Sequence, residues 1–346
     1  MQAFEIFFDG LYLTLIIFLG IKTLLIKDKD RLFVGAMALL LGLGDSFHLI
    51  PRMLSNAMAN GFEVNKNALF LGTRISAITM SVFYLLFYFY IVGKTKKINK
   101  IIDSSMIVLF VLRIITVFWS FKNSDTINLI SNIPFVIMGI IDIVLLFKNR
   151  KQSVFKNLYI YVFFSFLFYV PVVLFKTVYP MIGLLMIPKT IMYVLITLKL
   201  YSNVKGEFKI TNILEFSFSY LLIGILAGAF YREFGKIYPV TKNLALVHTH
   251  TIILGFAILT VFYLIIKNLK LDNKKLQKIL TVYNFGIYLS FTSLFIHGIV
   301  DLYKLPLFIS AGLVIISGIG HILMTVAFTY SAYKILNSKD LIKQTV

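Results

Sequence analysis

The chain has 346 residues, of which 59% are hydrophobic and only 14% are charged. Because about 25% of the residues in soluble globular proteins are charged, this composition excludes an ordinary soluble domain and indicates a helical membrane protein. The formal net charge is +19, and the absence of cysteine excludes disulfides, thiolate metal sites and cysteine nucleophiles.

Eleven apolar segments are long enough to cross a bilayer, and together they predict an all-α, polytopic integral membrane protein. They lie at roughly 4–26, 32–54, 67–93, 101–121, 127–147, 154–176, 181–201, 210–231, 244–266, 279–302 and 307–333. The first segment begins among the acidic residues Glu5 and Asp9 rather than after a basic region. We therefore expect a true span there and not a cleaved signal peptide.

The distribution of basic residues predicts the orientation of these spans. Loops after the odd-numbered segments carry 23 lysines and arginines, whereas the opposite loops carry 8. This bias predicts an N-terminus outside the cell and a C-terminus in the cytoplasm. The positive charge is then a topology signal and a contact for anionic lipids, so nucleic acid is not an expected partner.

A polar stretch from Ser202 to Thr211 is the strongest interruption of the apolar pattern. It predicts a seven-helix membrane domain (1–202), a cytoplasmic linker (203–209) and a four-helix membrane domain with a short basic tail (210–346). Pro134, Pro171 and Pro188 lie inside predicted spans, where proline kinks or breaks a helix.

Histidines are the most informative residues of the last four segments. His248 and His250 lie near the outer end of the ninth segment, and a rotation of about 100° per residue points them to faces about 200° apart. Histidines inside a membrane usually have a function, and imidazole is a common ligand of metals and haem iron. His297 lies at a similar depth and His321 lies deeper, so a four-helix bundle can offer imidazoles to both sides of a haem. Glycines beside these last two histidines leave room for a macrocycle or for a close helix.

Four motifs in this region carry a resemblance to a known family. They are Gly-Ala-Phe-Tyr-Arg-Glu-Phe at 228–234, Val-His-Thr-His at 247–250, His-Gly-Ile at 297–299 and Gly-Ile-Gly-His-Ile-Leu at 318–323. Residues 210–336 resemble an uncharacterised family of small four-helix bacterial membrane proteins. That family is similar to the haem–copper oxidase-like superfamily, which includes haem-containing nitric-oxide-response membrane proteins.

The resemblance implies one or two haem b groups. In the oxidases, a His-x-His sequence on one helix serves two haems, and His248 and His250 match that pattern. The sequence has neither an adjacent His-His pair nor a histidine–tyrosine motif for a copper centre. The resemblance therefore implies an electron-transfer haem protein rather than a complete terminal oxidase.

Other interpretations of these residues stay open. The histidines can instead hydrogen-bond to hydroxyls and carbonyls of neighbouring helices, or bind a bare zinc or copper ion. Arg232 and Glu233 are expected to form an interfacial ion pair, while in the haem interpretation Arg232 holds a propionate.

A second polar cluster lies in the N-terminal segments. Asp45, His48 and Arg52 stand at i, i+3 and i+7 on one helical face. Arg74 and Arg113 lie in the outer half to middle of their spans, and Lys189 lies at mid-depth of the seventh span. Isolated charges at such depths are costly, so these side chains must pair with each other or with an anion.

Several arrangements satisfy that requirement. Asp45 can bridge to Arg74 or to Lys189. Alternatively, His48 is an axial ligand of a second haem, with Arg52, Arg74 and Arg113 at its propionates. In a third arrangement, all six residues line an outward-facing cavity for a small anion: Asp45, His48, Arg52, Arg74, Arg113 and Lys189. A retinal-type Schiff base at Lys189 is disfavoured by the single tryptophan and by the lack of an acidic counter-ion near Arg74.

The sequence thus predicts first a multi-pass protein of the cell membrane that binds haem b and acts in electron transfer, haem or nitric-oxide sensing, or haem tolerance. Its ligands are expected in the order His248 and His250, then His297, His48 and His321. A redox partner or quinone and a homo-oligomer are the partners considered beside the lipid bilayer.

The alternative prediction is a transporter or receptor for a small anion, and a structural assembly factor comes third. No catalytic motif is present, so the sequence leaves enzymatic activity undecided. Asp142 and Glu215 are expected to be charges at helix ends.

Overall fold

The structure is a computed structural model that describes residues 2–96, 99–120, 125–175, 178–205, 210–237, 239, 241–268, 274–301 and 307–337. Within these ranges every regular element is a helix, and 11 helices are long and apolar enough to cross a membrane. The prediction of an all-α, multi-pass membrane protein is therefore confirmed.

Thirteen α-helices make up most of the described chain. They are α1 (Gln2–Leu25), α2 (Arg31–Ala57), α3 (Gly61–Val64), α4 (Lys66–Thr95), α5 (Lys100–Ser120), α6 (Asp125–Lys148), α7 (Leu158–Phe175), α8 (Met186–Lys205), α9 (Asn212–Phe234), α10 (Lys242–His250), α11 (Ile258–Asn268), α12 (Lys274–Val300) and α13 (Leu307–Leu336). A π-helical segment, Thr251–Ala257, joins α10 to α11 within one continuous span. Short 3₁₀ segments precede α7 and α8 at Ser153–Phe155 and Pro180–Leu185.

The prolines occupy two different kinds of helical position. Pro134 and Pro171 lie inside α6 and α7, where each removes one main-chain hydrogen bond. Pro188 lies in the first turn of α8, where a backbone N–H has no intrahelical acceptor. A break in the seventh span is therefore not required at Pro188.

The chain forms two compact units. Unit 1 comprises Met1–Thr14, Arg52–Val64 and Glu207–Val346, and unit 2 comprises Leu15–Pro51 and Asn65–Gly206. Each unit combines segments that are not consecutive in the sequence. The linear division at 203–209 stays a prediction, and residues 206–209 of that linker lie outside the described residues.

Unit 2 is organised around α4. Five aromatic side chains of this helix, Phe83, Tyr84, Phe87, Tyr88 and Tyr90, are buried. The Tyr84 ring lies 5.2 Å from the ring of Phe135 and 5.1 Å from that of Phe166, in edge-to-face and tilted geometries. This aromatic packing fixes α4 as an inner helix, so its polar side chains face other helices.

Helix α5, in contrast to α4, exposes apolar side chains on its outer surface. Val108, Val111, Leu112 and Ile115 are exposed, as expected for side chains that face lipid. Arg113 on the same helix is buried within unit 2. The helix therefore turns apolar side chains outward and Arg113 inward.

The backbones of helices α2 and α4 are in close contact at Gly72. A Cβ added to Gly72 of α4 would lie 2.1 Å from the carbonyl oxygen of Phe47 and 2.7 Å from the Cα of His48. Such contacts between membrane helices need small residues. The contact brings the polar face of α2 beside Arg74 and Ser76.

The Gly72→Ala substitution should therefore lower the free energy of unfolding by roughly 1–3 kcal/mol, because the added methyl group overpacks a backbone contact. Equilibrium unfolding in mixed micelles measures this change. Gly93→Ala in the same helix is the matched control, since an added Cβ there meets no atom within 4 Å. Equal effects of the two substitutions would contradict the close approach at Gly72.

The predicted orientation can be tested directly because the chain has no cysteine. Ala59 and Ser202 are exposed; Ala59 follows the second span, and Ser202 lies in the last turn of the seventh span. A membrane-impermeant maleimide should label the Ala59→Cys protein on intact cells and the Ser202→Cys protein only after permeabilisation. The reverse labelling pattern would contradict the predicted topology.

Candidate functional sites

Unit 2 contains a cavity of about 510 Å³, which is in the range of small-molecule sites. Helices α2, α4, α5, α6, α7 and α8 all contribute to its wall. Its polar and charged lining residues are Asp45, His48, Thr73, Arg74, Ser76, Arg113, Asn132, Tyr169 and Lys189. Five of the six residues predicted for an anion site therefore line one cavity, and only Arg52 is missing from it.

Arg113 is held in place by neutral groups. Its side chain is 3% exposed, Nη1 donates to Ser131 Oγ at 2.8 Å, and Cζ lies 5.3 Å from the centre of the Phe135 ring. The buried Nε makes no hydrogen bond. Arg74 lies close enough to Arg113 for their like charges to interact. A bound anion can accept from the remaining Nε–H and can reduce this repulsion.

Lys189 is held in a similar way. Its side chain is 8% exposed, and Nζ lies 4.7 Å from the ring centre of Tyr169 and 5.1 Å from that of Tyr193. These cation–π contacts stabilise the ammonium without neutralising it. Asp45 is close enough to interact electrostatically with Lys189, whereas the Asp45–Lys189 bridge stays a prediction.

His48 has a hydrogen-bonding arrangement that defines its tautomer. Ser76 Oγ donates its single proton to the carbonyl oxygen of Gly44 at 2.9 Å, and the same Oγ lies 2.8 Å from His48 Nδ1. Because that hydroxyl proton is already used, Nδ1 of His48 must be the donor to Ser76. Nε2 then carries the lone pair of the neutral ring.

Arg52 does not belong to this cavity, so its predicted place in the anion site is not supported. Its Nη2 lies 2.7 Å from Glu5 Oε2 and its Nε lies 3.9 Å from Asp9 Oδ2, and all three residues belong to unit 1. Asn56 also donates to Glu5 at 3.2 Å. The charge of Arg52 is therefore paired with acidic side chains of unit 1, although Arg52 shares a helical face with Asp45.

Sequence reasoning missed the neutral polar residues of the cavity. Tyr169 donates to Asn132 Oδ1 at 2.6 Å, and both side chains face the same space as Arg113. Neither residue stands out, because single tyrosines and asparagines are common in membrane helices. Their depth in α6 and α7, near that of Arg113 in α5, is the one signal that could have identified them.

In unit 1, the structure brings together His250 and His321. Their ring centres lie 6.0 Å apart and the ring planes are inclined by 76°. Nδ1 of His250 lies 3.1 Å from the carbonyl oxygen of Leu246, and Nδ1 of His321 lies 2.8 Å from that of Ser317. These bonds assign the proton to Nδ1 in each ring and leave each Nε2 with a lone pair for a metal.

The other predicted ligands have separate environments. The ring of His248 lies 6.2 Å from that of Tyr231, and its buried Nδ1 makes no hydrogen bond. His297 Nε2 lies 3.3 Å from Asp301 Oδ1, and His48 lies in unit 2. Among the described residues, no group of three or more histidines, aspartates or glutamates is arranged to hold a metal ion.

Gly298 and Arg232 of unit 1 were each given a role by the sequence. A Cβ added to Gly298 would lie 2.7 Å from the backbone of Leu244, so the glycine beside His297 serves a close helix contact rather than a macrocycle. Arg232 Nε lies 3.8 Å from Glu233 Oε1, and the side chain of Arg232 is 80% exposed. The expected ion pair is therefore present.

Comparison with known proteins identifies one segment of the chain. Residues 210–338 match the model of a protein family of unknown function, DUF2871. The predicted resemblance of residues 210–336 to an uncharacterised family is confirmed at that level, and the match gives no link to the haem–copper oxidase-like superfamily. No curated protein and no solved structure matches the chain.

Proposed function

We propose that unit 2 binds a small anion, as the ligand site of a membrane receptor or transporter. One observation carries this proposal: the cationic side chains of Arg74, Arg113 and Lys189 line a single cavity between membrane-spanning helices. Charges inside a bilayer persist only where another charge or a water-filled cavity compensates them. Such residues mark ligand pathways more often than they contribute stability.

The balance of charges suggests the class of anion. Among the described lining residues, Asp45 is the only carboxylate, so it offsets one of the three cations and leaves two positive charges with His48 neutral. A dianion matches this excess. The cavity also has apolar walls, which include Met80, Phe135 and Val172, and its volume exceeds the requirement of an inorganic ion. A small organic dianion, such as a short dicarboxylate, satisfies both features.

The proposed location of the site follows from the basic-residue bias. The residues that line the cavity lie towards the helix ends predicted to face outside, so the ligand would enter from the external side of the cell membrane. Pro134 and Pro171 interrupt the hydrogen bonding of two wall helices. Interrupted helices at a binding site are common in transporters, because they can change shape around the ligand.

The Arg113→Gln and Lys189→Met substitutions should each weaken succinate binding by about 10- to 100-fold, because each removes one charge-assisted hydrogen bond worth about 1.5–3 kcal/mol. Isothermal titration of the purified protein with succinate measures this loss. Sulfate and phosphate serve as inorganic comparison ligands.

Arg52→Gln is the matched control, since Arg52 pairs with Glu5 in unit 1 and does not line the cavity. That variant should bind succinate as the wild-type protein does. If succinate, sulfate and phosphate all fail to bind the wild-type protein, or if Arg52→Gln weakens binding as much as Arg113→Gln does, the proposal is wrong.

A second candidate function, haem b binding, is supported by the pairing of His250 with His321 in unit 1. Two imidazoles on opposite sides of one metal have ring centres roughly 6 Å apart, because each metal–nitrogen bond is about 2 Å long. The observed 6.0 Å fits this requirement, and the backbone carbonyls orient both rings. When bound there, haem would supply one-electron chemistry, with a quinone or a redox protein as the partner.

The π-helical segment that directly follows His250 adds to this second proposal. Such segments are rare and often lie at functional sites. The suggested relation to the haem–copper oxidase-like superfamily is part of this second proposal. His250 and His321 become the first-choice ligands of one haem, whereas the sequence ranked His248 and His250 first, on opposite faces of one helix.

For this candidate, the His321→Ala protein should lose the Soret band that the wild-type protein gains when haem is added, because one axial ligand is removed. An absorption titration with haem measures the change. His297→Ala should keep the band, since His297 lies against Asp301. A wild-type protein that gains no band, or equal loss of the band in both variants, would rule out the His250–His321 site.

A further inference from the structure

Helices α6 and α7 form a groove in unit 2 that shares no residue with the cationic cavity. Its volume is about 500 Å³, and its accessible lining is apolar. The lining residues are Ile143, Val144, Phe147, Lys148, Tyr159, Ile160, Phe163 and Phe164. Because this lining is apolar, Lys148 contributes its methylene stem to the wall and leaves its ammonium for polar surroundings. We call this feature the α6–α7 groove.

The groove lies at one end of its two helices. Lys148 is the last residue of α6, and Tyr159 is the second residue of α7. The lining residues extend about 8 Å from that end, at a rise of about 1.5 Å per residue. Further along the helices, the ring of Phe166 packs against Gly139, where an added Cβ would lie 2.1 Å from Phe166 Cζ. By the basic-residue bias, the groove is at the cytoplasmic ends of α6 and α7.

Aromatic rings form much of the groove wall. The rings of Phe147 on α6 and Tyr159 on α7 lie 5.5 Å apart in edge-to-face geometry, and those of Phe163 and Phe164 lie 5.6 Å apart. Phe147 and Phe163 are each 48% exposed. Rings packed in this way present a large apolar area of fixed shape. An acyl chain of a lipid can lie against such a surface.

A cationic side chain is held beside this wall. Cζ of Arg150 lies 4.1 Å from the centre of the Phe147 ring, and its Nη1 donates to the carbonyl oxygen of Phe147 at 2.9 Å. The guanidinium is therefore positioned at the cytoplasmic end of the groove, near the end of α6 that carries Lys148. Its remaining N–H groups can donate two parallel hydrogen bonds to a phosphate.

The loop that carries Arg150 is attached to helix α8. Lys199 Nζ donates to the carbonyl oxygen of Ser153 at 2.9 Å, and Asn203 Nδ2 donates to that of Val154 at 3.0 Å. These bonds hold the connection between α6 and α7 in a defined conformation. Arg150 is therefore presented from an ordered loop.

The sequence around the groove has no acidic residue to offset these cations. Residues 143–206 contain neither aspartate nor glutamate, and Lys151 and Lys156 of the same loop are exposed. Asp142 is the neighbouring acid, but it is 0% exposed and both of its carboxyl oxygens are buried. The prediction that Asp142 is a helix-end charge is therefore wrong, because it lies in the interior of unit 2.

We propose that the α6–α7 groove binds an anionic phospholipid of the cytoplasmic leaflet. One acyl chain lies against the aromatic wall, and the phosphate accepts hydrogen bonds from Arg150 and Lys148. Charge complementarity selects this occupant, because basic pockets between membrane helices on the cytoplasmic side favour anionic headgroups. A zwitterionic headgroup adds a cation that the same side chains repel. General attraction between basic loops and anionic lipids needs no groove, whereas this site joins apolar volume to positioned cations.

The single tryptophan of the chain makes a fluorescence test possible. In a Trp119→Phe background, Phe163→Trp places a reporter in the groove. Ile107→Trp is the matched control reporter, since Ile107 is an exposed residue of α5 at a similar distance from the cytoplasmic helix ends. The full chain is placed in liposomes of phosphatidylglycerol and phosphatidylcholine, and one of the two lipids carries brominated chains that quench tryptophan on contact. The groove reporter should prefer phosphatidylglycerol by about 10- to 30-fold, as expected for two cations, and the control reporter should show little preference.

Substitutions in the groove-reporter protein separate a lipid site from diffuse surface charge. Lys148→Gln and Arg150→Gln should each lower the preference by about three- to fivefold. Lys156→Gln is the control, because it removes the same charge from the same loop at a residue that does not line the groove. Val144→Phe should lower the preference towards that of the control reporter, since it fills the groove and keeps every cation.

Three outcomes would overturn the proposal. The first is an equal preference at the two reporters, which describes an ordinary lipid-facing surface. The second is an equal loss in Lys156→Gln and Lys148→Gln, which describes diffuse attraction. The third is a groove reporter that neither brominated lipid quenches, because another occupant such as a second copy of the chain then covers the groove. The charge variants decide the question even if Val144→Phe does not fold, and none of these results depends on the anion cavity.

Discussion

Unit 2 depends on the compensation of charges that lie between membrane helices. Arg74, Arg113 and Lys189 occupy one cavity, where Asp45 is the one carboxylate among the lining residues that the structure describes. Apolar side chains face outward and aromatic side chains pack in the interior of the unit. The cations therefore lie close to one another, although like charges repel. Neutral groups contact Arg113 and Lys189, such as Ser131 at 2.8 Å from Arg113 and the ring of Tyr169 at 4.7 Å from Lys189. Neutral contacts orient a charge without cancelling it, so the positive field of the cavity stays available to a ligand.

Much of the architecture follows from the sequence because hydrophobicity and length alone define a membrane span. The 11 spans, the buried positions of Asp45, Arg74 and Lys189, and their common cavity could be anticipated on this basis. The cost of an isolated charge in a bilayer brings such residues together whatever the details of packing. Arg113 illustrates this point, since no motif marks it and its charge alone predicts its inward position.

Other features depend on contacts that a single sequence does not reveal. Arg52 shares a helical face with Asp45, yet its guanidinium pairs with the carboxylate of Glu5 in unit 1. A nearby carboxylate therefore competes with the cavity for this cation. Among the histidines, spacing along one helix predicted that His248 and His250 point to opposite faces but left their partners open. The structure brings His321 of another helix next to His250. Asp142 was expected at a helix end because its neighbours in three dimensions were unknown. Sequence periodicity predicts which face of a helix a residue occupies. Only the packing of the helices determines which side chains that face contacts.

Crystals soaked in selenate, a dianion whose selenium scatters anomalously, test whether the cations of unit 2 form a site for a dianion. Such a site should give an anomalous peak in the cavity within hydrogen-bond distance of Arg113 and Lys189, and the peak should be lost in the Arg113→Gln protein. A cavity without a peak, at selenate concentrations that give peaks beside exposed lysines, would mean that these cations do not bind a dianion.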